Sequence, residues 1–251
     1  MFFMRYTAKD LTHFFNVKKE TLRYYEQIGL LSPIIGKNNY RYYRDWDVFM
    51  LAELRRLRAF DYSIKDIKRI ADINNLGDLQ TMMQDKSQYY KAKRDFYESL
   101  LTHNQILISY LNEPLNNFQR CQMPSLYLDP AYKTREKFPK DAQYQNFNDM
   151  NTNEFSLCDF MFSERLNDSS SYIGGTAFFK ELLPASFNIN HMTTIKSCSA
   201  WTINLLIANS LVFNEKDTAL LLDKAKGNRI YVLHLGIVNS KRLVKVWIPY
   251  K

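Results

Sequence analysis

Between Gly77 and Pro114 runs a segment that reads as a single long helix. Asp78 to Asn112 is 35 residues, roughly 50 Å at about 1.5 Å per residue. A register of positions 79, 82, 86, 89, 93, 96, 100, 103, 107 and 110 yields Leu, Met, Lys, Tyr, Lys, Phe, Leu, His, Leu and Tyr. Seven of these ten are apolar, at heptad spacing. A helix so long and one-sided cannot cover its stripe by itself, so a partner helix is expected. That partner is either a second copy or an element of the C-terminal region. Lys86 and Lys93 weaken the seam and help set its register, and His103 reads as a packed seam residue rather than a ligand.

Upstream, Val17 to Pro33 reads as a short helix with a polar outer face. Leu22 and Ile28 face inward with one ring of the Tyr24–Tyr25 pair, while Lys18, Lys19, Thr21, Arg23 and the other tyrosine face outward. Gly29 ends the helix where a positive φ is required. Cations on such a face neutralise phosphates, and planar or hydroxyl groups reach base edges. Before it, Thr7-Ala8-Lys9-Asp10 is a capping-box start for a helix over about 8–15. The two together predict a helix-turn-helix. After it, Ile34-Ile35, the turn residues 36–39 and Tyr40 to Tyr43 predict a small β-hairpin. Asp45 is expected to cap a helix over about 46–60, and Ser63 to cap another running to about 73.

Thr21-Leu22-Arg23-Tyr24-Tyr25-Glu26 with Ile28-Gly29-Leu30-Leu31 and Pro33, then Tyr40 to Tyr43, Leu54 to Arg58 and Ser63 to Ile67, resembles the winged helix-turn-helix of MerR-family transcription regulators over roughly residues 5–75. Lys18 stands where a small capping residue is usual in that family, and Lys is a poor N-cap. The resemblance implies that the long helix pairs antiparallel with its copy in a homodimer. It also implies that two recognition helices grip a pseudo-palindromic promoter site. The expected DNA contacts are Arg23 on guanine, Thr21 and Tyr24 on neighbouring base edges or sugar, and Lys18, Lys19, Tyr25, Arg41, Tyr42 and Arg44 on the backbone.

The charge balance agrees with a polyanionic partner. The net charge is +8, and residues 1–112 hold 18 Lys and Arg against 13 Asp and Glu. No run of about 18 apolar residues suggests a membrane span, and Met1 to Arg5 is too short for a signal peptide. A cytoplasmic protein is expected. Cys121, Cys158 and Cys198 are far apart and odd in number, which suits free thiols in a reducing compartment.

Residues 115–153 read as a polar linker. The apolar stretches 155–162, 171–179, 201–213, 230–237 and 243–249, with one short helix over Asp217–Lys226, predict an α+β domain around an antiparallel sheet. The fold class is thus multidomain: winged helix-turn-helix over 1–76, dimerisation helix over 77–113, and an effector-binding α+β domain over 114–251. Tyr172-Ile173-Gly174-Gly175 and Val244 to Pro249 resemble the GyrI-like effector-binding domain of multidrug-sensing MerR members. In that family a Glu of the last strand meets cationic drugs in an aromatic pocket, and the matching position here is Lys245. With Lys245 there, the resemblance implies either a neutral or anionic aromatic ligand or a pocket that has lost that function, and Tyr172, Trp201, Tyr231 and Trp247 are either its walls or core aromatics.

Two other functions compete with a small-molecule-responsive regulator that distorts its promoter for RNA polymerase. A metal or redox sensor would need a cysteine cluster, and Cys121 lies near the end of the long helix without a second Cys or His beside it. An enzyme carrying a DNA-binding appendage would need a catalytic motif. The sequence has no HExxH, no Gly-rich phosphate loop and no GxSxG. Only four histidines, His13, His103, His191 and His234, are present, and their spacing from Cys198 supports no Cys–His pair. No catalytic residue, metal or cofactor is expected.

Overall fold

The computed structural model describes residues 5–132, 156–183, 187–208 and 213–250. Two compact units, Met1–Tyr89 and Tyr90–Lys251, divide within the long helix.

The first unit opens with β1 (Tyr6–Thr7) and α1 (Ala8–Phe15). Thr7 caps α1 through a reciprocal box with Asp10, as the sequence predicts. α2 (Lys19–Gln27) follows with Lys18 at its N-cap and no side-chain cap bond. Gly29 takes φ +80°, and the Leu30 and Leu31 N–H groups turn back onto the Tyr25 carbonyl. β2 (Ile34–Ile35) and β3 (Arg41–Tyr43) form the hairpin. β1 adds to it in the order β1-β3-β2, a third strand too short to show in the sequence.

α3 (Asp45–Ala59) starts one residue earlier than the pattern suggests. The residue outside the helix is Arg44. The buried Asp47 carboxylate accepts from the Arg44 N–H at 2.9 Å and from the Ser32 N–H at 2.8 Å. It thereby ties the helix start to the loop after α2. α4 (Ile64–Ala71) carries the expected Ser63–Asp66 capping box. Leu11, Leu22, Leu31, Tyr43, Leu51, Leu54, Leu57 and Ile67 make the core.

α5 (Leu76–Leu111) is 36 residues long, a little earlier at both ends than expected. Asn75 caps it, accepting from the Asp78 N–H at 2.9 Å. Of the ten positions in the sequence register, all but Tyr89 are at least partly buried within this one chain, and His103 is fully so. Lys86 does not sit free in a seam. Its ammonium lies over the Tyr62 and Tyr89 rings and donates to the Asp61 carbonyl at 2.8 Å.

The second unit is built on one antiparallel sheet of eight strands, in the order β4-β9-β11-β10-β6-β7-β5-β8. The strands are β4 (Gln119–Met123), β5 (Leu126–Tyr132), β6 (Cys158–Arg165), β7 (Asp168–Phe179), β8 (Thr193–Ile195), β9 (Cys198–Ile207), β10 (Ile230–Val238) and β11 (Lys241–Pro249). α6 (Glu215–Ala225) lies between β9 and β10, capped by Asn214. Strands β4 and β5 fall where a linker is expected. Among the described residues β4 is an edge strand with one neighbour, and its sequence Gln-Arg-Cys-Gln-Met carries too few apolar residues to signal a strand. The alternation of β5 is cut short at Pro130. The rest of that stretch, 133–155, lies outside the described residues.

The order contains an internal repeat. β4-β5 and β8-β9 are each two strands joined by two residues, and each is followed later by a hairpin, β6-β7 or β10-β11. The first strands are exchanged: β4 pairs with β9, and β8 with β5. The antiparallel pair β6–β10 joins the halves.

The sheet buries both faces. On one lie Phe162, Tyr172, Ile203, Leu205, Val232, Val244, Val246 and Ile248 with Leu221 and Ala225 of α6. On the other, Met123, Leu126, Met161, Phe179, Leu233 and Trp247 pack with Ile106 and Tyr110 of α5. The backbones of β5 and β7 approach closely at one point. Gly175 faces Pro130, where the β5–β7 register shifts, and a Cβ there would lie 1.8 Å from the Asp129 carbonyl oxygen. Gly175→Ala must push two paired strands apart. The expected cost is about 1–3 kcal/mol, read as a lower urea midpoint of the full chain with an unchanged m-value.

Candidate nucleic-acid interface and a cationic site on the sheet

In the first unit, α1 and α2 place Lys18, Lys19, Arg23 and Tyr24 at the exposed surface, with Thr21 half-buried beside them. Tyr25 is placed differently. Its ring lies in the core beside Leu22, because at three and four residues from Leu22 and Gly29 it falls on the inward side of the helix. One tyrosine of the pair faces outward and one inward, as the sequence anticipates; the inward ring is that of Tyr25, which was expected on the DNA backbone and is in the core instead.

The hairpin divides likewise, with Tyr43 buried and Tyr42 half-exposed. The Tyr42 ring lies across the turn. Its hydroxyl accepts from Asn38 Nδ2 at 3.0 Å, and a Cβ on Gly36 would come within 2.7 Å of it. Arg44 is exposed just before α3. Arg41 is exposed too, but its Nε is paired with Glu26 Oε2 at 3.0 Å.

Glu26 was not anticipated as part of this surface. Its other oxygen accepts from the buried Tyr43 hydroxyl at 2.6 Å. One carboxylate at the end of α2 thus holds two residues of β3, fixing the hairpin against the recognition helix. Nothing in the local spacing signals this, since Glu26 and Tyr43 are 17 residues apart.

In the second unit the five expected pocket residues do not converge. Tyr172 is on the α6 face, stacked on Phe162 with centroids 5.4 Å apart. Trp201 lies on that face as well, with the Arg120 guanidinium 5.0 Å and the Lys224 ammonium 4.8 Å from its ring. Tyr231, Lys245 and Trp247 are on the α5 face, where Tyr231 and Trp247 are cross-strand partners. Strand alternation makes the division: residues two apart on β11 share a side.

Around Lys245 the structure gathers groups from distant parts of the chain. Lys245 is 1% exposed, and its Nζ donates to Glu113 Oε2 at 2.5 Å. The ammonium lies 4.4 Å from the centre of the Tyr110 ring and 5.8 Å from that of Trp247, and these two rings meet edge-on. Burial pushes the Lys245 pKa down, and the Glu113 carboxylate opposes that shift. Asn204, the cross-strand partner of Lys245, is also 1% exposed. Its amide donates to the Tyr110 carbonyl at 2.6 Å, and its backbone carbonyl accepts from the Asn116 N–H at 2.9 Å. Its Oδ1 is buried with no hydrogen-bond partner among the described residues. About two turns up the helix from Tyr110, His103 Nε2 meets Asp159 Oδ2 of β6 at 2.7 Å. Glu113, Asn204 and Asp159 carried no signal in the sequence, because each acts across a long chain separation.

Among the described residues no disulfide is formed, and Cys121, Cys158 and Cys198 are all half-buried. Burial raises each thiol, that of Cys158 to about 12.

Residues 6–72 match the family model for the MerR HTH family regulatory protein. The N-terminal domain is therefore similar to the helix-turn-helix domain of the MerR family. The chain is 31% identical over 97 residues to the HTH-type transcriptional regulator SkgA of Caulobacter vibrioides, an overlap of 38% of each chain. It is 33% identical over 94 residues to the HTH-type transcriptional regulator HmrR of Rhizobium leguminosarum bv. viciae, covering 38% of this chain and 66% of that one. This chain therefore spans well under half the length of SkgA. Among solved structures, that of an EcmrR–DNA complex aligns over 97% of this chain and 98% of its own, with 14% identity and a TM-score of 0.36.

In this MerR-type domain the Tyr43–Glu26 bond has a pH signature. Burial first, and Glu26 second, raise the Tyr43 phenol above its ordinary value of 10.0. The folded state thus holds the proton more tightly than the unfolded chain. That stabilisation is complete below pH 10.0 and is lost as the pH climbs through the higher folded value. Tyr43→Phe should cost about 1 kcal/mol at neutral pH and should flatten part of the alkaline loss. Urea midpoints of both proteins across that range measure the difference.

Proposed function

We propose that the protein is a homodimeric transcriptional regulator that binds a pseudo-palindromic promoter site through its MerR-type domain and responds to a small molecule through its sheet domain. The observation that carries this reading is the exposed cationic surface of α2, Lys18, Lys19 and Arg23 with Tyr24, on a domain matched to a family of regulatory proteins. Arg23 is the residue assigned to base readout, and Arg44 and the two lysines to phosphates. Arg41 and Tyr42 serve the same surface from the wing. Tyr25 supports it from the core.

A second stripe on α5 supports the dimer. Leu76, Met83, Tyr90 and Tyr97 recur every seven residues, and Leu101 and Ile108 continue the line; all six are exposed, Leu76 by 83%. This stripe differs from the register that the chain covers itself. Exposed apolar residues at heptad spacing suit pairing with the same helix of a second copy, and a two-fold pair of recognition helices sets the half-site spacing. The sheet domain is read as GyrI-like and effector-sensing, with Lys245 turning its preference away from cations. A ligand changes promoter distortion only through its different affinity for the two conformations.

The test is a footprint on the DNA flanking the gene, with and without aromatic small molecules. A two-fold footprint between promoter elements is expected, and its absence at low salt would overturn the promoter reading. Arg23→Ala should cost about 1–3 kcal/mol and relax preference at one base pair, whereas a uniform loss on all sequences would reassign Arg23 to a phosphate. Leu101→Glu should shift the protein from dimer to monomer in sedimentation and remove the two-fold footprint.

A further inference from the structure

The Glu113–Lys245 pair has the makings of a binding site occupied by the protein's own carboxylate. Lys245 is on β11, flanked on both sides by β9 and β10, so its ammonium is held by the interior of the sheet. Glu113 stands just past the end of α5 and is 26% exposed. It is attached to the sheet through few groups: Asn204 on the Tyr110 carbonyl and the Asn116 N–H, and a bridge between Leu115 and Asn204. One member of the pair is fixed, and the other is on a peripheral segment. Tyr110 and Trp247 supply aromatic walls around the ammonium. Beside it, Asn204 Oδ1 is a buried acceptor with no hydrogen-bond partner among the described residues. An unsatisfied buried acceptor is costly, and a donor brought to it is favoured accordingly.

We infer that this cluster is an anion site, and that its ligand is a small aromatic carboxylate with a hydrogen-bond donor beside the carboxylate, which displaces Glu113 from Lys245. The carboxylate takes the ammonium, the neighbouring hydroxyl or amine donates to Asn204 Oδ1, and the ring packs against Tyr110 and Trp247. Glu113 is a tethered competitor present at high effective concentration, so the free ligand binds more weakly than the same contacts would give without it. Displacement frees the segment around Glu113 to Asn116 from β9 at the very end of the long helix. This rests on the reading of the sheet domain as a sensor and gives that sensor its ligand class.

Salicylate carries both groups, and benzoate lacks the donor. Calorimetric titration of the full chain, without DNA, should show salicylate binding at least about tenfold tighter than benzoate, the equivalent of one buried hydrogen bond. Glu113→Gln removes the competing charge and should tighten salicylate at least about tenfold. Lys245→Met should abolish binding. Hydrogen exchange at the Asn116 amide should quicken when salicylate is bound. The inference is overturned if Glu113→Gln fails to tighten salicylate, if benzoate binds equally well, or if Lys245→Met retains affinity. Should Lys245→Met fail to fold, the Glu113→Gln result decides alone. A promoter footprint without salicylate binding removes this inference and leaves the regulator standing, whereas salicylate binding without a footprint does the reverse.

Discussion

The structure depends on how one long helix distributes its apolar surface. A 36-residue helix exposes far more side chain than its own hydrogen bonds can justify in water, so every face must find a neighbour or remain polar. α5 has two apolar lines. One is covered within the chain, ending with His103, Ile106 and Tyr110 against the sheet. The other stays open. The first line commits the helix to its own chain, and the second lies at the surface.

The sheet that receives α5 is a duplicated design with its opening strands exchanged. Since β4 completes the half to which β9 belongs, and β8 the half of β5, neither half closes its edge alone. The exchange also explains why polar groups gather beneath the end of α5. Asn204, Lys245 and Trp247 come from adjoining strands β9 and β11, and the chain leaving α5 crosses them on its way to β4. A buried lysine at such a crossing is tolerable because a carboxylate arrives with it.

Local chemistry was legible from the sequence, and long-range pairing was not. The capping boxes at Thr7 and Ser63, the positive φ at Gly29 and the outward face of α2 all depend on residues within a few positions of one another. The register of α5 could also be read, because heptad spacing is a local property. Its division into an intramolecular line and an open one could not, since that depends on where the sheet lies. The same limit separates the aromatic residues of the sheet. Tyr172 and Trp201 look equivalent to Tyr231 and Trp247 in composition, and only strand register shows that they are on opposite faces. β4 was missed because an edge strand needs one neighbour and little apolar content. Glu113 and Asn204 were missed because their importance comes from Lys245, more than forty residues beyond either.

The exchanged strands also constrain the order in which the chain can mature during synthesis. The helix-turn-helix domain closes on contacts within its own first 89 residues and can fold as soon as it leaves the ribosome. β4 emerges soon afterwards but pairs with β9, whose paired residues begin 75 positions later, at Cys198 opposite Met123. Glu113 waits longer still, for Lys245 near the C-terminus. A nascent chain therefore carries an open strand edge and a half-covered helix until β9 and β11 have emerged. Long separations of this kind slow closure and lengthen exposure to aggregation, so the C-terminal unit is the part of the molecule with most to gain from a chaperone.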